Sequence, residues 1–265
     1  MNSLGSKVLA LILVVVGLAG AYWYSTVDNA PQSIVPVSVQ PEVAPEQPEK
    51  EGPAHPVVPA ESSVPSERNL VPLPPLDDSD SYFLLALIDI FGADIEKVMV
   101  SEALIDKFVA TVDNLPRSHV AEKIRPVGRL PDRFLAEGVG DDEEFLLKNE
   151  NFSRYDSLVS MLKTADLDAV VATYRRFYPL LQESYLRLGY PDGYFNDRVV
   201  AVIDHLLTTP ELDSVIYLVR PHVLYQFADA ELEAMSSGQK LLLRMGGDHT
   251  ATIKTVLSEL RALIA

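Results

Sequence analysis

The residue types best equipped for chemistry gather between positions 183 and 205: Glu183, Tyr185, Tyr190, Asp192, Tyr194, Asn196, Asp197, Asp204 and His205. The turn GYPDGYFNDR, residues 189–198, runs into a helical segment that carries Asp204 and His205, a layout able to set carboxylates and an imidazole on one surface. Two carboxylates at a suitable separation divide the acid and base roles of glycoside hydrolysis, and aromatic rings stack on sugars. The same residues also suit structural duties. Asp192 and Gly193 are turn formers, Asn196 is placed to cap a helix, Asp197 in a first turn complements the helix dipole, and the tyrosines suit half-buried packing. The structural reading outweighs the catalytic one. Tyr190, Asp192, Tyr194, Asn196, Asp197, Asp204 and His205 therefore stand as surface binding candidates, and no residue is assigned as catalytic.

Elsewhere, catalytic signatures are missing. The chain has no GxSxG elbow, no GxGxxG turn after a strand, no GxxxxGK[ST] loop, no HExxH and no calcium-loop ladder of acids. The absence of cysteine removes thiol nucleophiles, disulfides and cysteine zinc sites. His55, His119, His222 and His249 form no i, i+4 pair, so neither a metal nor a cofactor is expected. Asp141, Asp142, Glu143 and Glu144 read as a solvated acidic loop rather than a cation site. With 22 Lys and Arg against 38 Asp and Glu, the net charge of −16 repels phosphate backbones. Nucleic acid is not expected as a partner.

The elements that must position the cluster are mainly helical. Asp77, Asp78, Ser79 and Asp80 cap and charge-complement a helix over 81–91 that Gly92 ends, with Phe83, Leu84, Leu87, Ile88 and Phe91 on its apolar face. A second helix starts after Ser101 and runs to 114, where Pro116 stops it. The period breaks between 125 and 148, and a small β-hairpin is expected to pair 133–136 with 143–147. Helical spacing returns over 153–163 and 167–188, the latter expected to kink or split at Pro179. A helix over 196–207 buries Val199, Val200, Ile203, Leu206 and Leu207. Short strands over 215–219 and 223–227 flank Pro221, and helices over 230–236, 239–245 and 250–264 complete the chain. The expected fold class is mainly α, a helical array with one or two small β-hairpins.

Composition separates this body, residues 77–265, from what precedes it. Residues 8–24, VLALILVVVGLAGAYWY, carry no charge and are long enough to cross a hydrocarbon core. Lys7 lies before them and Asp28 after, so the positive-inside rule makes residues 1–27 a cytoplasmic N-terminus plus a transmembrane helix of a bacterial inner membrane, with the rest periplasmic. The small residues Ala19, Gly20 and Ala21 also suit a cleavable leader, but the apolar character and the aromatic pair Trp23 and Tyr24 beyond them favour an anchor. Residues 28–76 are dense in Pro, Glu, Val and Ser and read as a disordered acidic linker of polyproline II and coil, in which His55 is solvated. A ligand for a proline-binding module is the lesser reading of that linker, since no repeated PxxP carries a flanking basic residue.

Residues 174–179, then Leu181, Gln182 and Glu183, GYPDGYFNDR, Asp204, His205 and Leu206, RPHVLYQFAD and SGQKLLLRMG together resemble an uncharacterised proteobacterial membrane-anchored family, domain of unknown function 3014. The resemblance covers about residue 76 to the C-terminus. It implies the layout of one membrane helix, a proline-rich linker and one domain, and it carries over no catalytic residue. The function expected from this layout is a non-enzymatic interaction module whose partner is an envelope protein or the cell wall. The alternatives are a wall-modifying hydrolase using residues 190–205, and an assembly factor that self-associates through a large apolar surface.

Overall fold

The computed structural model describes residues 52–57, 72–128, 133–139, 144–212 and 214–265. The expected membrane helix at 8–24, most of the linker, and Asp141, Asp142 and Glu143 lie outside the described residues. No helix among the described residues is long and apolar enough to cross a membrane.

Apolar residues recurring three and four apart produce eight α-helices among the described residues. They are α1 (Asp80–Phe91), α2 (Leu104–Asn114), α3 (Asp156–Thr164), α4 (Leu167–Arg187), α5 (Phe195–Leu207), α6 (Ala230–Ala234), α7 (Ser237–Met245) and α8 (Gly247–Ile264). Helix α2 packs on α4, and α5 packs on α2 and α8, so one core is shared by these four helices together with α1 and α3. Aromatic rings run through it in sequence: Phe177 and Phe83 at 5.1 Å, Phe83 and Phe108 at 6.4 Å, Phe108 and Phe195 at 6.1 Å. All four rings are almost wholly buried, and edge-on packing of such rings adds to their area burial.

Four short strands, β1 (Ala136–Gly138), β2 (Glu144–Leu147), β3 (Tyr217–Val219) and β4 (Gln226–Phe227), form one antiparallel sheet in the order β1-β2-β3-β4. The two expected hairpins are present, and Phe145 of β2 opposite Leu218 of β3 joins them into a single sheet. Beneath it Leu147, Leu218, Phe227 and Leu243 make a second, smaller core. Helix α7 lies between the two cores. It sends Leu241, Leu242 and Met245 into the first and Leu243 into the second, so all nine of its residues are buried, Lys240 and Arg244 among them. Lys240 Nζ is satisfied by Glu233 Oε1 at 2.9 Å, and the Arg244 guanidinium lies 4.4 Å from the Phe227 ring centroid.

Several local expectations change. Helix α4 runs unbroken through Pro179, because its apolar face stays seated on the core on both sides of the proline. Ser79 does not cap α1; its hydroxyl donates to Leu76 O at 2.7 Å. Asp80 instead reaches the start of α2, where its carboxylate accepts from Ala103 N and Leu104 N, each at 2.7 Å. Ala103 sits there at φ +50 and has no side chain able to cap, so a carboxylate from the neighbouring helix does the work of an N-cap.

Candidate functional site

The turn from α4 into α5 is fixed by one side chain of α4. Gln182 Nε2 donates to Gly193 O at 2.7 Å, while its Oε1 accepts from Phe195 N at 2.8 Å and from the Tyr178 hydroxyl at 3.0 Å. Gln182 thereby satisfies an orphan amide at the start of α5, and Asn196 is not the cap that its position suggested. The helix begins one residue earlier because Phe195 is drawn fully into the core. Gly193 lies so close to Tyr185 that a Cβ would stand 2.9 Å from the ring. Tyr185 in turn stacks on Tyr190 with centroids 4.7 Å apart.

Tyr190 leads to a charged centre that sequence reasoning missed. Its hydroxyl donates to Asp113 Oδ2 at 3.1 Å and accepts from Arg117 Nη2 at 3.1 Å. Asp113 Oδ1 accepts from Arg198 Nε at 2.9 Å, and Asp113 Oδ2 also accepts from Arg117 Nη2 at 3.0 Å. The Asp113 side chain is only 2% exposed, so this is a buried carboxylate compensated by two guanidinium groups and a phenol. The signal was there in α2, where Asp113 interrupts an otherwise apolar face of Leu104, Ile105, Phe108, Val109 and Val112.

Asn196 and Asp197 face a different neighbour. Asn196 is fully buried; its Oδ1 accepts from the Tyr174 hydroxyl at 2.9 Å, and its Nδ2 donates to Ile264 O at 2.8 Å and to His55 O at 2.9 Å. Asp197 Oδ2 accepts from Ala54 N at 3.0 Å and its Oδ1 from His55 N at 2.7 Å. Residues 52–57 thus lie against the domain, with His55 half-buried rather than solvated.

Two turns beyond, the contacts diverge again. Asp204 accepts from Arg261 of α8 through both oxygens, the Nη2 bond at 3.0 Å. His205 Nε2 meets Ser236 Oγ at 2.9 Å. Ser236 is at the same time the N-cap of α7 in a capping box with Gln239, its Oγ accepting from Gln239 N at 3.2 Å. Partial burial and the positive field of Arg198 hold the His205 imidazole below its ordinary pKa, favouring the neutral ring.

Of the seven predicted residues only Asn196 and Asp197 meet, on residues 52–57, and the seven do not converge on one site. Asp197 and Asp204 are seven residues apart, which is two turns and roughly 10 Å of rise along one helix face. Tyr190 turns to α2, Asp197 to residues 52–57, Asp204 to α8, and His205 to α7; Asp192 is exposed in the turn and Tyr194 half-buried. None of the seven lines the cleft of about 210 Å³ between the sheet and α8, which Leu147, Phe152, Leu212, Ile216, Leu243 and Thr250 help to enclose. Among the described residues no three His, Asp or Glu side chains gather as metal ligands would.

No curated protein and no solved structure matches this chain. The turn and the α5 and α7 segments that build the geometry above all fall within residues 104–261, over which the chain matches one family profile. The chain belongs to the family described as Protein of unknown function (DUF3014).

Proposed function

We propose that this chain is a non-enzymatic interaction module of the cell envelope, anchored in an inner membrane through residues 8–24 and presenting its helical domain in the periplasm. One observation carries the reading: at the start of α5, Asn196 and Asp197 hold residues 52–57 through hydrogen bonds to main-chain atoms. Main-chain gripping is how domains take up peptide segments from many contexts. The uncharged stretch at 8–24 with Lys7 before it and Asp28 after supports the membrane topology, and the acidic balance supports a protein or wall partner over nucleic acid.

The test is fractionation and in-cell crosslinking of the tagged full-length chain. The expected result is a membrane-associated polypeptide, cut by protease in spheroplasts, and crosslinked to an envelope protein or to the wall polymer. Recovery of the intact chain in the soluble cytosol refutes the reading.

The contact between His205 and Ser236 favours a second reading, a wall-modifying hydrolase, because a serine within hydrogen-bond reach of an imidazole is the start of a nucleophile pair. Ser236 Oγ is, however, committed to the cap of α7, and no carboxylate among the described residues bonds to His205 to orient it. A purified wall-hydrolysing activity that His205→Gln abolishes without change in thermal stability makes this reading the better one.

A further inference from the structure

Resting on the interaction-module reading, we propose that the start of α5 is a binding site for a PxxP segment followed by an aliphatic residue in a partner protein, and that residues 52–57 of this chain occupy it as a tethered competitor.

The chemistry of the site is read from its present occupant. The segment GPAHPV places Pro53 and Pro56 on either side of two amide-bearing residues, and both amides go to the two oxygens of one carboxylate, Asp197. The carbonyl of the second central residue, His55, goes to Asn196 Nδ2. These three hydrogen bonds are all to main chain, so the site selects a backbone shape: a bend with two donors between its prolines. Prolines narrow the free peptide's conformations and so lower the cost of ordering it. Side chains add a second layer. Pro53, His55 and Val57 are half-buried against the domain while Gly52, Ala54 and Pro56 are exposed, and Val57 packs on the main core.

The receptor half is held independently of the segment. Asn196 is clamped by Tyr174 and by the end of α8, and α5 is started by Gln182, so the site persists when the segment leaves. The chain has three PxxP segments with two amides between the prolines, 45–48, 53–56 and 56–59. Glu49 follows the first, Val57 the second and Ala60 the third; Val57 packs against the main core, which is the contact a following aliphatic residue supplies. Residues 58–71 tether it to the domain, and a short tether of this kind supplies an effective concentration on the order of 1 mM. With an intrinsic Kd of about 0.1 mM for the segment itself, a partner peptide then meets roughly tenfold competition in the intact chain.

The experiment uses the full chain in detergent and a fluorescein-labelled peptide EGPAHPVV, read by anisotropy. Replacing Ala54 and His55 by proline in the chain (A54P/H55P) removes both competing amides and leaves the receptor residues untouched; the peptide is expected to bind this variant about tenfold more tightly than the natural chain. Adding Asp197→Asn to that variant is expected to weaken binding at least tenfold. A peptide EGPPPPVV, which lacks the two central amides, is expected not to bind either chain, a control that does not depend on any variant folding. Equal affinity for the natural chain and A54P/H55P, or binding of EGPPPPVV as tight as that of EGPAHPVV, overturns the proposal. So does a natural chain that is dimeric and becomes monomeric in A54P/H55P, since the occupant would then be a second copy of this chain. These readouts are made on purified protein, so their failure leaves the envelope location standing, and failed fractionation leaves peptide binding standing.

Discussion

Replacing Asp113 by alanine should show how much the fold around α5 depends on one buried carboxylate. The substitution removes the acceptor of Arg198 Nε at 2.9 Å and of the Tyr190 hydroxyl at 3.1 Å, leaving both donors largely inside the protein. Breaking a fully buried ion pair by deleting one partner costs about 3–5 kcal/mol. Arg198 keeps 28% of its side chain exposed and retains its bond from Nη2 to the Asp113 main-chain oxygen at 2.6 Å, so water and main chain take over part of the loss. A cost of about 2–3 kcal/mol is expected after that discount. For a folded body of this size each kcal/mol moves Tm by about 2–4 °C, which gives a fall of roughly 4–12 °C in a circular-dichroism melt at pH 7. Asp113→Asn keeps the shape and one acceptor and should fall about half as far. Tyr190→Phe alone should cost about 1 kcal/mol, and the double variant D113A/Y190F should be less than additive, because both changes remove the same bond. A melt of Asp113→Ala within about 1 °C of the natural chain refutes the idea that this carboxylate anchors the turn.

Three further outcomes are expected. Gly246→Ala combines a backbone at φ +88 with a Cβ 2.7 Å from the Phe152 ring, so a loss of about 1–3 kcal/mol is expected in a urea melt, whereas Gly128→Ala, whose nearest neighbour is 3.7 Å away, should be close to neutral. Tyr174→Phe leaves the buried Asn196 Oδ1 without its phenol donor and should cost about 1–3 kcal/mol by the same assay. Burial holds His205 and His119 below their ordinary pKa, helped by Arg198 for the first and by Arg125 and Lys240 for the second, so the unfolded chain binds these protons more readily than the folded one. Their contribution to stability is present above about pH 6.5 and is lost as pH falls through the lower folded values. Stability should therefore drop between pH 7 and pH 5, and His205→Gln should flatten that drop; an unchanged slope would show that His205 titrates as it does in the unfolded chain.

The sequence by itself determined what is local. Apolar spacing placed α4, α5 and α8 within a few residues of where they stand, and two short strand pairs lie where period 3.6 lapses, because a helix face or a strand needs only near neighbours to be written down. Its lack of cysteine rules out disulfides and thiol nucleophiles. The tertiary structure decided everything that joins distant positions. Asp80 caps the next helix rather than its own, Asp113 meets Arg198, Phe145 pairs with Leu218, and residues 52–57 settle on α5 across more than a hundred residues of chain. Helix α7 shows the division most plainly: its sequence carries the charged Lys240 and Arg244, yet two cores close over it from opposite sides. A residue's period records which way it faces on its own element, whereas its partner depends on what other elements bring to that face. Burying a charge requires that partner to be in place, and only the assembled fold supplies it.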